Sequence, residues 1–260
     1  MKKVLCVLVC ILLLTGCGKR EDGAQSQPLP TEPTTPERTV RWYALGDSIT
    51  QGFYSALEAG ESKLGLDPKR SWPQLVAQQQ GWELTNYGVG GSGYVHPGTV
   101  LNKLNARDHV DTIDFSGVNL VTLAYGVNDW KYNMPLGSMT DDVTAGGTLY
   151  SNMRYCIEKI LADEPLAKIV VISPINCNRY GSMDENWGIG HEFPQNGTLE
   201  DVASAEKEVC RYYGIEFVDL LHESVVNRFN APHLLPDGVH PSPEAHAQLA
   251  AELVKKINYA

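Results

Sequence analysis

The chain has 260 residues, 43% of them hydrophobic and 20% charged, a composition that excludes a disordered or fibrous polymer and suits one folded domain of ordinary enzyme size. Its 21 basic and 31 acidic side chains give a net charge of −10. With no basic patch to offset that charge, nucleic acid is excluded as a partner, because phosphate binding needs clustered Lys and Arg.

The first residues read as an address. Lys2 and Lys3 precede an apolar run over residues 4–14, too short to span a bilayer but the right length for the core of a signal peptide. Leu14-Thr15-Gly16-Cys17 follows and resembles the bacterial lipoprotein signal, which implies cleavage before Cys17 and lipidation of that cysteine. An ordinary secretory peptide cut near Gly16 or Gly18 is the alternative, and both readings export the chain. Residues 1–16 are therefore expected to be the signal peptide. Residues 17–39, rich in Gln, Thr and Glu and carrying Pro28, Pro30, Pro33 and Pro36, are expected to be a lipidated cysteine and a disordered tether. Of six cysteines, Cys156, Cys177 and Cys210 remain for the domain. Three cannot all pair, and the absence of any C-x-x-C spacing argues against structural zinc.

From residue 40 to residue 260 strands alternate with helices. Strands are expected over residues 40–45, 82–87, 118–125, 168–173 and 215–219, and a helix-capable stretch follows the first of them. Helices are expected near 71–80, 140–163 and 198–213, with a last one from Ser242 to about residue 257 opened by Ser242-Pro243-Glu244. This alternation predicts a parallel sheet covered by helices on both faces. Two long connections, 128–139 and 174–197, leave the carboxyl ends of strands and carry Trp130, Tyr132, Arg179, Trp187 and His191.

Four segments at strand ends bear on chemistry. Leu45-Gly46-Asp47-Ser48-Ile49-Thr50 puts a hydroxyl outside the carboxyl end of the first strand, where open α/β sheets bind ligands. Gly88-Val89-Gly90-Gly91-Ser92-Gly93 fits G-x-G-x-x-G, but Pro97 and Gly98 follow where a dinucleotide site needs a helix. We read it instead as a loop whose bare backbone approaches a ligand. Ala124-Tyr125-Gly126-Val127-Asn128-Asp129 ends the most apolar strand, and an Asn N–H together with backbone N–H groups is what a tetrahedral oxyanion requires. In Leu235-Pro236-Asp237-Gly238-Val239-His240-Pro241 the carboxylate stands three residues before the imidazole. That spacing lets Asp237 accept Nδ1–H and frees Nε2 of His240 to take a proton. A metal reading through His233, Asp237, His240 and His246 is thinner, since no H-E-x-x-H occurs.

Taken together these segments resemble the SGNH, or GDSL-type, esterase and lipase family across residues 40–260. Gly46-Asp47-Ser48, Asn86 through Gly91, Gly126-Val127-Asn128-Asp129 and Asp237-Gly238-Val239-His240 stand in the family's block order. The resemblance implies an α/β fold, a three-layer α/β/α sandwich with a five-stranded parallel, flavodoxin-like sheet, and neither metal nor other cofactor. It implies Ser48 as nucleophile, His240 as base and Asp237 as its orienter. The oxyanion hole would be the backbone N–H groups of Ser48 and Gly91 and the Asn128 side chain, with Gly90 open should the loop register differ. The α/β-hydrolase elbow G-x-S-x-G occurs nowhere in the chain.

The expected protein is a serine esterase, extracytoplasmic and lipid-anchored to a bacterial membrane through Cys17. Its expected partners are that membrane and a small-molecule or carbohydrate ester. Asp47, Trp130, Tyr132 and Trp187 are candidate substrate contacts; Trp and Tyr faces suit sugar rings and so lead toward O-acyl groups on carbohydrate, and they equally suit acyl chains and aryl esters. A lysophospholipase or short-chain lipase is the enzyme alternative, and a solute-binding or adhesive lipoprotein on a silent scaffold is the alternative outside catalysis.

Overall fold

A computed structural model of the chain describes residues 39–97, 104–177, 190–257 and 259. The expected signal peptide, Cys17 and the tether up to residue 38 lie outside the described residues, as do Arg179 and Trp187. Among the described residues no helix is long and apolar enough to cross a membrane.

In chain order the elements are β1 (Arg41–Gly46), α1 (Ser48–Gln51), β2 (Phe53–Glu58), β3 (Glu61–Leu66), α2 (Trp72–Gln80), β4 (Glu83–Gly88), α3 (Ala106–Val110), β5 (Leu120–Ala124) and α4 (Val127–Lys131). They continue as α5 (Leu149–Asp163), β6 (Lys168–Ile172), α6 (Leu199–Tyr213), β7 (Glu216–Val218), α7 (Leu220–Glu223), α8 (Ala231–Leu234) and α9 (Pro243–Lys256). Five strands form one parallel sheet in the order β4-β1-β5-β6-β7. This is the doubly wound flavodoxin-like arrangement, and its chain reversal beside β1 opens the crevice where such sheets hold ligands.

Alternation along β1 divides the interior in two. Trp42 points to one layer, its indole 5.8 Å from that of Trp72 on α2, while Tyr43 meets Phe115 on the other side at 6.0 Å. Helices α2 and α9 pack together as one layer, and α3, α5 and α6 pack as another. The central strands are buried on both faces, so Leu120-Val121-Thr122-Leu123 and Ile169-Val170-Val171-Ile172 read as nearly continuous apolar runs. The lone polar member, Thr122, accepts the Trp42 indole N–H at 3.1 Å.

Sequence signals set most boundaries. Ser71, Thr198 and Ser242 cap α2, α6 and α9, each accepting a backbone N–H from the first turn. The helix expected from residue 140 begins instead at Leu149. Gly146 and Gly147 adopt positive φ of 71° and 85°, which ends the preceding turns, and Thr148 then caps α5. The helix-capable stretch after Ser48 is only one turn long and gives way to the antiparallel hairpin β2–β3, which the sequence reading did not contain. Cys156, Cys177 and Cys210 are buried free thiols.

Candidate active site

Strand register brings three segments to one sheet end, because Gly46 of β1 lies opposite both Gly88 of β4 and Ala124 of β5. Immediately beyond Gly46, Asp47 turns the chain and its Oδ1 accepts the Ile49 N–H at 2.8 Å, capping α1 so that Ser48 is the first helical residue. The turn is tight against its neighbours. A Cβ on Gly46 would come within 2.2 Å of Thr50 Oγ1, and one on Gly88 within 2.3 Å of the Gln51 nitrogen. Only glycine fits at either position.

Ser48 Oγ lies 2.9 Å from His240 Nε2, and His240 Nδ1 lies 2.7 Å from Asp237 Oδ2. A carboxylate only accepts, so Nδ1 carries the proton and Nε2 presents its lone pair to the serine hydroxyl. Asp237 Oδ1 also accepts the backbone N–H groups of Val239 and His240, at 2.9 and 2.7 Å. Burial opposes ionisation of Asp237, yet the hydrogen bonds and the facing imidazole outweigh it and hold the carboxyl below its ordinary value. Burial has the upper hand at Asp47, pushing its carboxyl up to about 6 against the Ile49 N–H. A cavity of about 30 Å³ behind the turn, lined in part by Asp47, Thr50 and Tyr125, has room for a water or two.

The donor groups for an oxyanion separate cleanly. Gly90 N–H is taken by Gln51 Oε1 at 2.7 Å, whereas the N–H groups of Ser48 and Gly91 meet no acceptor among the described residues. Asn128 spends one Nδ2 hydrogen on Ser92 O at 2.9 Å and keeps the other. Asp129 shapes the loop that bears Gly91. Its two oxygens accept the N–H groups of Tyr94, Val95 and His96 at 2.7 to 3.0 Å, and Gly93 passes so close that a Cβ there would meet Asp129 Oδ2 at 2.3 Å. Burial pushes the Asp129 carboxyl up, and these three N–H groups pull against it.

Sequence reasoning missed Ser55. This buried residue of β2 donates to His240 O at 2.6 Å and accepts Asp237 N–H at 3.3 Å, while Ser55 N–H reaches Pro241 O at 3.3 Å. The strand is itself fixed to α9, where His246 Nε2 donates to Phe53 O at 2.9 Å. Burial pushes His246 down to about 4, which keeps it neutral for that role. Nothing in an isolated Ser55 signals these contacts. They become visible only once the hairpin is known to lie against the Asp237–His240 loop.

Two expected substrate contacts are corrected. Trp130 is 0% exposed, its ring 5.8 Å from Phe193 and its N–H on His191 O, so it fastens the loops together and offers no face to a ligand. Asp47 is likewise buried and engaged by the turn it caps. Tyr132 is 51% exposed and stacks at 4.0 Å on His96, which bonds Gly91 O at 2.8 Å through Nδ1. Among the described residues no group of three His, Cys, Asp or Glu side chains is arranged to hold a metal ion.

Comparison with known proteins places this geometry. The GDSL-like lipase/acylhydrolase family matches residues 44–248, which contain all four segments. Among solved structures, a possible lipase from Chitinophaga pinensis is 23% identical, with a TM-score of 0.60 over 83% of this chain and 96% of that one. The M. smegmatis aryl esterase and Est24, a carbohydrate acetylesterase from Sinorhizobium meliloti, are 16% and 17% identical. Each has a TM-score of 0.58 over 84% of this chain and 98% of its own, and these likenesses establish the shared fold. No curated protein matches the chain. By its match over most of its length, the chain belongs to the GDSL-like lipase/acylhydrolase family and is a serine ester hydrolase.

Proposed function

We propose that the chain cleaves carboxylic esters through an acyl-enzyme on Ser48, at an extracytoplasmic membrane surface to which lipidated Cys17 and the proline-rich tether hold it. The observation that carries the chemistry is the unbroken relay from Ser48 Oγ through His240 to Asp237, at 2.9 and 2.7 Å. His240 Nε2 takes the serine proton as Oγ bonds to the ester carbonyl carbon. The resulting oxyanion is met by the N–H groups of Ser48 and Gly91 and by Asn128. Collapse of that intermediate breaks the bond to the alcohol, which leaves with the proton from Nε2. Water then repeats the sequence on the acyl-serine and releases the acid. Asp237 stays ionised throughout and steadies the imidazolium.

The membrane part of this reading rests on the leader ending in Leu14-Thr15-Gly16-Cys17. For the substrate, the expectation of acylated carbohydrate drew on three aromatics. Trp130 is buried and Trp187 lies outside the described residues, which leaves Tyr132. Est24 acts on carbohydrate by its name and the M. smegmatis protein on aryl esters, so both classes enter the test. Purified protein is assayed against acetylated oligosaccharides, aryl acetates and acyl esters of graded chain length. Turnover of at least one ester, abolished in Ser48→Ala and in His240→Ala, is expected. Turnover surviving either substitution contradicts the reading.

A further inference from the structure

The β2–β3 hairpin has two unlike faces. Cross-strand partners in an antiparallel pair share a face, so the pairs Phe53↔Leu66, Ser55↔Leu64 and Leu57↔Ser62 lie on one side. Tyr54↔Gly65, Ala56↔Lys63 and Glu58↔Glu61 lie on the other. The second side faces water with polar groups: Tyr54 occupies the space where a Cβ on Gly65 would sit, at 2.5 Å, and Lys63 pairs with Glu58 at 2.7 Å, both side chains more than half exposed. The first side is covered at Ser55, which is fully buried against the Asp237–His240 loop, and leaves Leu57, Leu64 and Leu66 exposed by 59%, 54% and 46%. Three of the seven large apolar side chains that are exposed in the described chain thus share one small sheet face.

That face is continuous with the catalytic loop. Ser55, directly opposite Leu64, bonds His240 O and Asp237 N, and the Phe53 ring lies 6.0 Å from the His240 ring. Chemistry decides which part of an ester comes here. The carbonyl oxygen must turn toward the Gly91 and Asn128 donors, whereas the alcohol oxygen must turn toward His240 Nε2, from which it takes its proton on leaving. The group beside His240 is therefore the alcohol.

We propose that the hairpin face formed by Phe53, Leu57, Leu64 and Leu66 is the subsite for the alcohol part of the substrate, and that this alcohol is an apolar alkyl or aryl group. The inference rests on the assignment of Ser48 and His240 made above. A sugar, with hydroxyls around its whole rim, would leave three leucines against polar groups, while an alkyl or aryl alcohol covers them and removes their apolar surface from water.

The test uses the full-length protein and two ester series: acetates of methanol, butanol and hexanol, and methyl esters of acetic, butanoic and hexanoic acids. Leu57→Thr with Leu64→Thr keeps strand propensity while shortening the apolar face. In the double variant the ratio of kcat/KM for hexyl acetate to that for methyl acetate is expected to fall about tenfold, from two leucines each covering part of the chain. Lys63→Thr, on the opposite face, is expected to leave that ratio in place. Because the ratio is taken on one preparation, loss of folded protein cancels. A ratio unmoved by the double variant, with Ser48 still labelled by a fluorophosphonate, overturns the subsite and spares the catalytic assignment. So does conversion of a dimer to a monomer in light scattering with the ratio unmoved, which would give the face to a second copy. A wild type that neither hydrolyses any ester nor takes the label overturns both.

Discussion

Ser55 Oγ donates to His240 O at 2.6 Å and accepts Asp237 N–H at 3.3 Å, so one buried hydroxyl of β2 grips both ends of the Asp237–His240 turn. The turn approaches Ser48 from 192 residues along the chain, and Ser55 is its anchor on the near side. Ser55→Ala removes the anchor and leaves the relay residues untouched. We expect kcat to fall on the order of tenfold with KM nearly constant, since small misplacements of a general base are costly. Steady-state kinetics on p-nitrophenyl acetate read both quantities, and an unaltered kcat would assign Ser55 to packing alone.

Asn128 has a second Nδ2 hydrogen beyond the one given to Ser92 O. Asn128→Ala is expected to slow turnover on the order of a hundred- to a thousandfold, the usual effect of losing one oxyanion donor, while Ser48 still accepts a fluorophosphonate. Equal rates in variant and wild type would remove Asn128 from the hole.

Asp47 supplies a pH signature. Its folded carboxyl titrates near 6 because burial disfavours the charge. Unfolded, it titrates at about 3.9. Between those values the folded chain holds a proton that the unfolded chain has released. The stabilisation is therefore present below about 3.9 and lost as pH rises through about 6, at about 1.4 kcal/mol per unit of displacement. Asp47→Asn keeps the oxygen that caps Ile49 and carries no charge. Urea unfolding should show the variant gaining about 2–3 kcal/mol on the wild type between pH 4 and pH 8. A difference constant across that range contradicts the burial account.

The central sheet strands and the start of α9 were legible in the sequence because they obey local rules: apolar runs for strands buried on both faces, and Ser242 before a proline at the first helical position. The Asp47-Ser48 turn after β1 and the Asp237–His240 loop were legible as candidate segments because Gly46, Pro236, Gly238 and Pro241 mark breaks in the chain. The hairpin was not. Its first strand, Phe53-Tyr54-Ser55-Ala56-Leu57-Glu58, ends in residues that also suit a helix. Its turn places Ala59 at φ 52° before Gly60, where Asn or Gly would have announced a tight hairpin. Trp130 was misplaced for a related reason. The chain after Gly126 winds into α4, Trp130 N–H bonds Gly126 O, and the indole turns inward instead of lining a loop. Ser55 and the apolar hairpin face were thus beyond reach from sequence, because both depend on a tertiary contact that no local pattern encodes.

The central claim is that Ser48 is the group that attacks the ester. Fluorophosphonate labelling followed by peptide mapping tests it most directly: the wild type should carry one adduct, on the peptide containing Ser48, and Ser48→Ala should carry none and lose p-nitrophenyl acetate hydrolysis. An adduct on another residue, or hydrolysis undiminished in Ser48→Ala, would contradict it.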